Sequence, residues 1–390
     1  MQKHSVASIR IPGTVEMEVY SINTACLHRA FIYKDVAIIE TIQFVINNKE
    51  ITTTAEATVL EAADQMGIHI PRLCYDPELS SYGGCRLCVV EIEGMKNLQA
   101  SCVTAVRPGM VVHTHSPRVM EARREILGLL LADHPKDCMT CDKMGNCDLA
   151  DYCYEYGVEK SLFDNTKTIY PLDDSNPFIL RDPNKCILCG KCVRACSEIP
   201  GIDNLDFAYR SNTTKVTTAG DRPYIESDCT FCGTCVAVCP TGALVEKQMH
   251  GKARSWEVKK VKTTCPFCGT GCNFDLVVKD DKVVGVQSNP SSVVNGRALC
   301  VKGRFGWDFI YNDKRLTQPL IKRNGSFEPA SWEEALDLVA SRLLEIKAEH
   351  GPDAFAALSS ARCTNEDNYL LQKLTRVAMG TNNVDHCART

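Results

Sequence analysis

No stretch of this 390-residue sequence approaches 18 uninterrupted apolar residues, so hydropathy gives no candidate membrane-spanning helix. The first 16 residues carry Lys3 and Arg10 but lack an apolar run of signal-peptide length, and the expectation is a cytoplasmic chain. Charge of one sign is also missing. A net charge of -4 supplies no global attraction to nucleic acid or to acidic membranes. With 44% hydrophobic and 24% charged residues, disordered, collagen-like and low-complexity readings are excluded too. What is abundant is cysteine, at 23 residues. Thiols this dense in a reducing compartment are poor disulfide candidates, so their spacing is tested first against metal-ligand patterns.

Residues 1–40 show no clear period beyond a lone Pro12-Gly13 turn and stay an unassigned tail. From Thr41 the alternation Ile42, Phe44, Ile46, the turn Asn47-Asn48 and the return Ile51-Thr52-Thr53 predict a hairpin, followed by a helix from Thr58 to Met66. That unit is expected to run over 41–120. A helix over Glu121–Leu131 then opens a cysteine-rich segment, 121–165. Residues 176–250 hold one cysteine pattern twice, an internal repeat. In 255–315, Phe274–Val278, Asp280-Asp281 and Val283–Val286 predict another hairpin. From 316 an ordinary α/β pattern begins. It has a capping box at Ser331-Trp332-Glu333-Glu334, a helix burying Leu336, Val339, Leu343 and Ile346, a stop at Gly351-Pro352, a strand over Ala354–Leu358 and a helix over Asn365–Met379.

Cys186-x2-Cys189-x2-Cys192-x3-Cys196 and Cys229-x2-Cys232-x2-Cys235-x3-Cys239-Pro240 are each the run of a bacterial two-cluster ferredoxin. Zinc ribbons would need separated pairs of cysteines, not three on one tight loop. The cross-over ligation of such domains implies one 4Fe-4S cluster on Cys186, Cys189, Cys192 and Cys239, and another on Cys229, Cys232, Cys235 and Cys196. Cys74-x10-Cys85-x2-Cys88-x13-Cys102 is looser, and its spacing alone allows zinc or a 2Fe-2S cluster. Its context, Pro71-Arg72-Leu73-Cys74-Tyr75 and Gly83-Gly84-Cys85-Arg86-Leu87-Cys88, resembles the 2Fe-2S domain of the large iron-sulfur subunit of respiratory complex I and its relatives. Cys138-x2-Cys141-x5-Cys147 leaves the fourth ligand open between His134 and Cys153. His134-x3-Cys138 resembles the histidine-ligated 4Fe-4S segment of that family, which implies His134. A neutral imidazole in place of a thiolate removes one negative charge and eases reduction.

Cys265-x2-Cys268-x3-Cys272 with Cys300 is a three-plus-one set that suits a cubane cluster. Cys265-Pro266-Phe267-Cys268-Gly269-Thr270-Gly271-Cys272 and Cys300-Val301-Lys302-Gly303-Arg304 resemble the amino-terminal cluster domain of molybdenum or tungsten bis-pterin oxidoreductases, formate dehydrogenases in particular. There the lysine matching Lys302 lies between cluster and pterin. Segments 329–335, 365–373 and Gly380–Arg389 extend the resemblance to residues 41–390. Cys26, Cys153, Cys363 and Cys387 are left over and read as ordinary thiols.

The resemblance implies an α+β multidomain chain: a β-grasp 2Fe-2S ferredoxin domain, a His/Cys-ligated 4Fe-4S segment, a two-cluster ferredoxin domain, a small β-rich 4Fe-4S domain and the start of an α/β molybdopterin domain. One 2Fe-2S and four 4Fe-4S clusters would form a relay for single electrons in a formate dehydrogenase catalytic subunit. A molybdenum or tungsten bis-pterin guanine dinucleotide would belong to the intact enzyme. The implied partner is an electron-transfer subunit, whether an NAD(P)-linked flavoprotein, a ferredoxin or a hydrogenase, with no nucleic acid. In that family the residue two after the arginine matching Arg389 is the metal-ligating cysteine or selenocysteine. Here that would be position 391, and the expectation is a UGA codon read as a stop after Thr390, so no catalytic residue is assigned. The alternatives are a stand-alone multi-cluster electron carrier, or a subunit of an NAD(P)-linked hydrogenase or complex I-like dehydrogenase. The quartet ending at Cys300 argues against a hydrogenase, and the eight-cysteine repeat against complex I.

Overall fold

The computed structural model describes residues 8–11, 15–18, 41–161, 163 and 168–387. The chain divides into two compact units, 1–40 and 41–390. In the first, β1 (Ser8–Ile11) and β2 (Val15–Glu18) pair antiparallel, a hairpin that four-residue strands without a clear period did not announce. Cys26 lies outside the described residues.

The second unit opens with β3 (Thr41–Ile46) and β4 (Lys49–Thr54). Asn47 and Asn48 have φ of 48° and 65°, the double left-handed geometry of a tight hairpin turn that asparagine tolerates. Helix α1 (Val59–Gln65) is closed at its start by a full capping box: Glu61 N donates to Thr58 Oγ1 at 3.3 Å and Thr58 N donates to Glu61 Oε2 at 2.9 Å. Strands β5 (Val89–Ile92), β6 (Gln99–Ala100) and β7 (Val111–His113) complete a five-stranded sheet of order β4-β3-β7-β5-β6, in which only β3 and β7 are parallel. Alternate residues Ile42, Phe44 and Ile46 meet Val59, Leu60, Ala62 and Ala63 of α1 in one core. Each fully buried Ile, Leu or Val contributes about 1.5–3 kcal/mol of transfer free energy.

Helix α2 (Pro117–Asp133) begins four residues earlier than the sequence suggests, with Ser116 as N-cap and proline in its first turn. The expected boundary at 120/121 therefore falls inside a helix. Its Arg123 is fully buried and donates to Tyr156 Oη and to the Val89 carbonyl, both at 2.9 Å, so α2 is bonded to the sheet and to the chain just beyond α3 (Asp148–Glu155).

In the repeat region β8 (Ile179–Arg181) pairs with β11 (Leu244–Glu246), and β9 (Asp206–Ala208) with β10 (Lys215–Thr217). Helices α4 (Lys191–Glu198) and α5 (Thr234–Val238) follow the two cysteine loops. Next, β12 (Lys259–Thr264), β13 (Asn273–Lys279) and β14 (Lys282–Ser288) form an antiparallel sheet, its hairpin turned by Asp280 and Asp281 at φ of 49° and 58°. The short helix α6 (Val301–Phe305) leaves Cys300.

Beyond it, β15 (Leu320–Arg323) and β16 (Ser326–Pro329) form a hairpin before α7 (Trp332–His350). Two expectations change here. Ser331 Oγ accepts from Glu334 N at 3.1 Å, but the Glu334 carboxylate is engaged by Arg323 instead of closing the capping box. Helix α7 also buries no residue: Leu336, Val339 and Ile346 are exposed and Leu343 is half-buried, because nothing described packs on that face. Strand β17 (Ala357–Ser359) is shorter than expected, since Pro352–Ala354 forms a 3-10 turn. Helix α8 (Asn365–Lys373) runs on as a π turn to Met379 and ends at left-handed Gly380, returning to β18 (Val384–His386), which lies parallel to β17.

Candidate metal centres

Four groups of thiols follow from these elements. Cys74, Cys85, Cys88 and Cys102 come together on loops at the end of the five-stranded sheet. Cys88 Sγ lies 3.4 Å from Cys102 Sγ, and Cys85 N donates to Cys74 Sγ at 3.4 Å. The Cys74 thiol is held well below its ordinary pKa, first by the Cys102 thiol and then by that of Cys85. Cys102 is correspondingly raised. Four crowded thiols with backbone N–H groups aimed at sulfur are the donor set of a cluster with thiolate ligands.

The two copies of the repeat build matching loops. Leu188 and Phe231 stand at φ of 55° and 58°, and their N–H groups donate to Cys186 Sγ and Cys229 Sγ, each at 3.4 Å. Gly190 and Gly233, both at φ of 70°, then start α4 and α5. One cavity is lined by Cys186, Cys189, Cys192 and Cys239, and a second by Cys196, Cys229, Cys232 and Cys235. The fourth cysteine of each run thus lines the cavity of the other. Leu205 and Tyr224 stand between them and line both. Burial pushes Cys186 up to about 11, Cys189 up to about 12, and Cys192 and Cys235 upward as well. Uncharged thiols suit such dry walls, and thiolates there call for a bound cation.

In the third group Cys141 and Cys147 are buried and Cys138 is exposed. His134 caps the end of α2 and is half-buried. Cys153 is buried with Cys147 in the core formed by Leu73, Leu127, Leu149 and Tyr156, and its thiol is raised to about 11 by burial and then by Cys147 and Cys138. Both sequence candidates for a fourth ligand therefore flank this loop. In the fourth group Cys265 N donates to the Cys272 carbonyl at 2.7 Å. Burial raises Cys265 and Cys272, and each is raised further by Cys268 and Cys300. Lys302 is exposed and faces Cys268, whose thiol is lowered first by Thr270 and also by Lys302 and Arg362. Among the described residues no three potential ligands converge tightly enough for a single metal ion, and the thiols of the repeat instead ring cavities.

Several residues that sequence reading passed over join these groups. Arg194, on α4 between Cys192 and Cys196, donates to the Cys74 carbonyl at 2.5 Å. Asp76 is buried and meets Arg297 at 2.6 Å and Lys191 at 3.4 Å, tying three cluster regions by charge. Arg254 donates to the Cys141 carbonyl at 2.5 Å. Gly269 lies against Ala361, and Ser360 and Cys387 sit 3.3 Å apart on the same side. An arginine or aspartate in a charged stretch carries no signal of such partners. No helix among the described residues is long and apolar enough to cross a membrane.

Comparison with known proteins divides the chain in the same sequence of parts. Family models match as a 2Fe-2S iron-sulfur cluster binding domain over 40–117, an NADH-ubiquinone oxidoreductase-G iron-sulfur binding region over 123–161 and a 4Fe-4S dicluster domain over 185–243. A molybdopterin oxidoreductase Fe4S4 domain matches 258–312, and molybdopterin oxidoreductase 315–390. The NADPH-Fe(3+) oxidoreductase subunit alpha of Geobacter sulfurreducens (strain DL-1 / KN400) is 40% identical over 348 residues, which is 89% of this chain and 40% of that protein. A Staphylococcus aureus (strain USA300) protein named "Putative formate dehydrogenase" is 34% identical over 383 residues, covering 88% of this chain and 39% of its own length. The chain thus spans about two fifths of the length of the curated relatives it matches. A solved NAD+-reducing NiFe hydrogenase chain is 35% identical with a TM-score of 0.51, over 54% of this chain and 90% of that one.

Proposed function

Because this chain belongs to the molybdopterin oxidoreductase family, with iron-sulfur domains of the NADH-quinone oxidoreductase G kind, we propose that it is the multi-cluster electron-transfer portion of a formate dehydrogenase. The observation that carries the electron-transfer reading is the pair of cavities, each ringed by four thiols with one cysteine crossed over from the other run. In this reading the 2Fe-2S cluster is held by Cys74, Cys85, Cys88 and Cys102. The 4Fe-4S clusters are held by His134 with Cys138, Cys141 and Cys147, by the two crossed quartets, and by Cys265, Cys268, Cys272 and Cys300. When bound, such clusters supply one-electron oxidation and reduction. The chain's own part is to keep thiolates in place, to aim the N–H groups of Cys85, Leu188 and Phe231 at sulfur, and to exclude water with Leu205, Tyr224 and Leu244. Lys302 would face the bis-pterin cofactor of the complete, cytoplasmic protein, with molybdenum or tungsten as its metal.

Formate as substrate is supported by the resemblance of segments 265–308 and 380–389 and by the name of the Staphylococcus aureus relative. A nicotinamide nucleotide supplied through a partner subunit is the second reading, favoured by the names of the Geobacter relative and the hydrogenase. Anaerobic preparation should yield about 18 irons per chain, from one two-iron and four four-iron centres. Zinc in their place would end the electron-transfer reading. Addition of formate to the anaerobic complete protein should bleach the cluster absorbance. Bleaching only by NADH or NADPH with the partner present would replace formate with the second reading.

A further inference from the structure

Helix α6 drives its last two residues away from the Cys300 loop and into the neighbouring repeat region. Phe305 is buried in the core that also holds Cys192, Tyr224 and Cys235, stacked on Phe178 at 4.8 Å between ring centroids. Arg304 is 1% exposed. Its guanidinium serves three elements at once: Nε donates to the Cys232 carbonyl at 2.9 Å, Nη2 donates to Ser288 Oγ on β14, and Nη1 faces Glu246 Oε1 on β11 at 3.4 Å. Gly233 makes the room, because a Cβ built there would lie 2.1 Å from Arg304 Cδ. Glu246 is itself buried; among the described residues its Oε2 has no hydrogen-bond partner and its Oε1 is met by Arg304. Burying a cation and an anion in this way carries a desolvation cost that their mutual attraction offsets only in part, and replacing such a pair with apolar side chains is often neutral or stabilising. Stability alone is a poor account of the pair.

We propose that Arg304 and Glu246 are a positioning and charge-tuning pair for the cluster held by Cys196, Cys229, Cys232 and Cys235. Arg304 fixes that site against the Cys265–Cys300 domain, and its charge, one peptide carbonyl from Cys232, favours the reduced cluster. Glu246 offsets that charge. The proposal rests on the cluster reading above. Reduction adds one negative charge, and in a low-dielectric surrounding a nearby cation raises the midpoint potential while a nearby carboxylate lowers it. The two residues therefore act with opposite sign.

The test is an anaerobic redox titration of the complete protein at alkaline pH, followed by electron paramagnetic resonance, with iron counted in each variant. Arg304→Met should move one four-iron midpoint potential downward, Arg304→Lys should restore most of that shift, and Glu246→Gln should move the same potential upward. Full iron content with unmoved potentials, or with shifts of the same sign in Arg304→Met and Glu246→Gln, would overturn the proposal and leave the cluster reading standing. If Arg304→Met loses iron, the near-isosteric Glu246→Gln decides alone: an upward shift supports the pair, and no shift refutes it. Wild-type protein without iron would sink both readings.

Discussion

Cys141 and Gly242 are in direct apposition: a Cβ placed on Gly242 would fall 2.6 Å from the Cys141 sulfur. Gly242 follows Cys239, Pro240 and Thr241, so the contact joins the third thiol group to the first cavity of the repeat. Asp148 N donates to the Pro240 carbonyl at 3.2 Å beside it. The glycine is needed here for closeness, since it has no left-handed backbone.

Gly242→Ala should therefore disturb the Cys141 site, at a cost of about 1–3 kcal/mol for overpacking. Loss of iron from one four-iron centre, or a lowered melting temperature, would report it. Gly128→Ala in α2 is the control, because among the described residues its added methyl would meet only Phe163, at 3.9 Å. That change should stabilise the helix by about 0.5–1 kcal/mol.

The third group separates its two candidate ligands by mutation. His134→Ala should remove about four irons from the chain, while Cys153→Ala should leave the iron count unchanged. The opposite result would assign the site to four cysteines and return His134 to a capping role at the end of α2.

Arg123 bonds Tyr156 Oη and the Val89 carbonyl from a fully buried position. Arg123→Met should cost about 2–4 kcal/mol, since the carbonyl and hydroxyl lose a charged donor. Tyr156→Phe should cost about 1 kcal/mol. Denaturant unfolding of equally loaded samples checks the ratio, and equal effects would show that packing outweighs the bonds.

Burial pushes the Glu246 carboxyl up to about 7 against the opposing pull of Arg304. The folded chain thus holds this proton more tightly than the unfolded one. Stability from the protonated form is fully present below the ordinary glutamate range and is lost as pH rises through about 7. Glu246→Gln should gain stability over wild type at pH 8 relative to pH 5, by roughly 3 kcal/mol at most. Parallel melting curves at the two pH values would refute it.

The tight cysteine runs, the hairpins at Asn47-Asn48 and Asp280-Asp281, the helix after Thr58 and the cap at Ser331 are legible because their signals lie within a few residues. Strand β12 is hidden, for Lys259-Lys260-Val261-Lys262-Thr263-Thr264 has one apolar residue and forms a largely exposed edge whose lysines guard it. Arg123, Arg304, Asp76 and Gly242 owe their roles to partners between 16 and 221 residues away, so nothing local marks them. The periodicity of α7 predicted a helix, but whether a face is buried depends on a neighbour, which periodicity does not supply.

Nineteen residues of α7 without one buried side chain have a kinetic consequence. Most helical stability in proteins comes from packing of an amphipathic face, so the amide protons of α7 should exchange with solvent through local opening long before those of β3 or α1. A protease should find the same weakness. Brief digestion of this chain should first cut within α7 or the hairpin before it, leaving the thiol-bearing region up to about residue 312 as a resistant core.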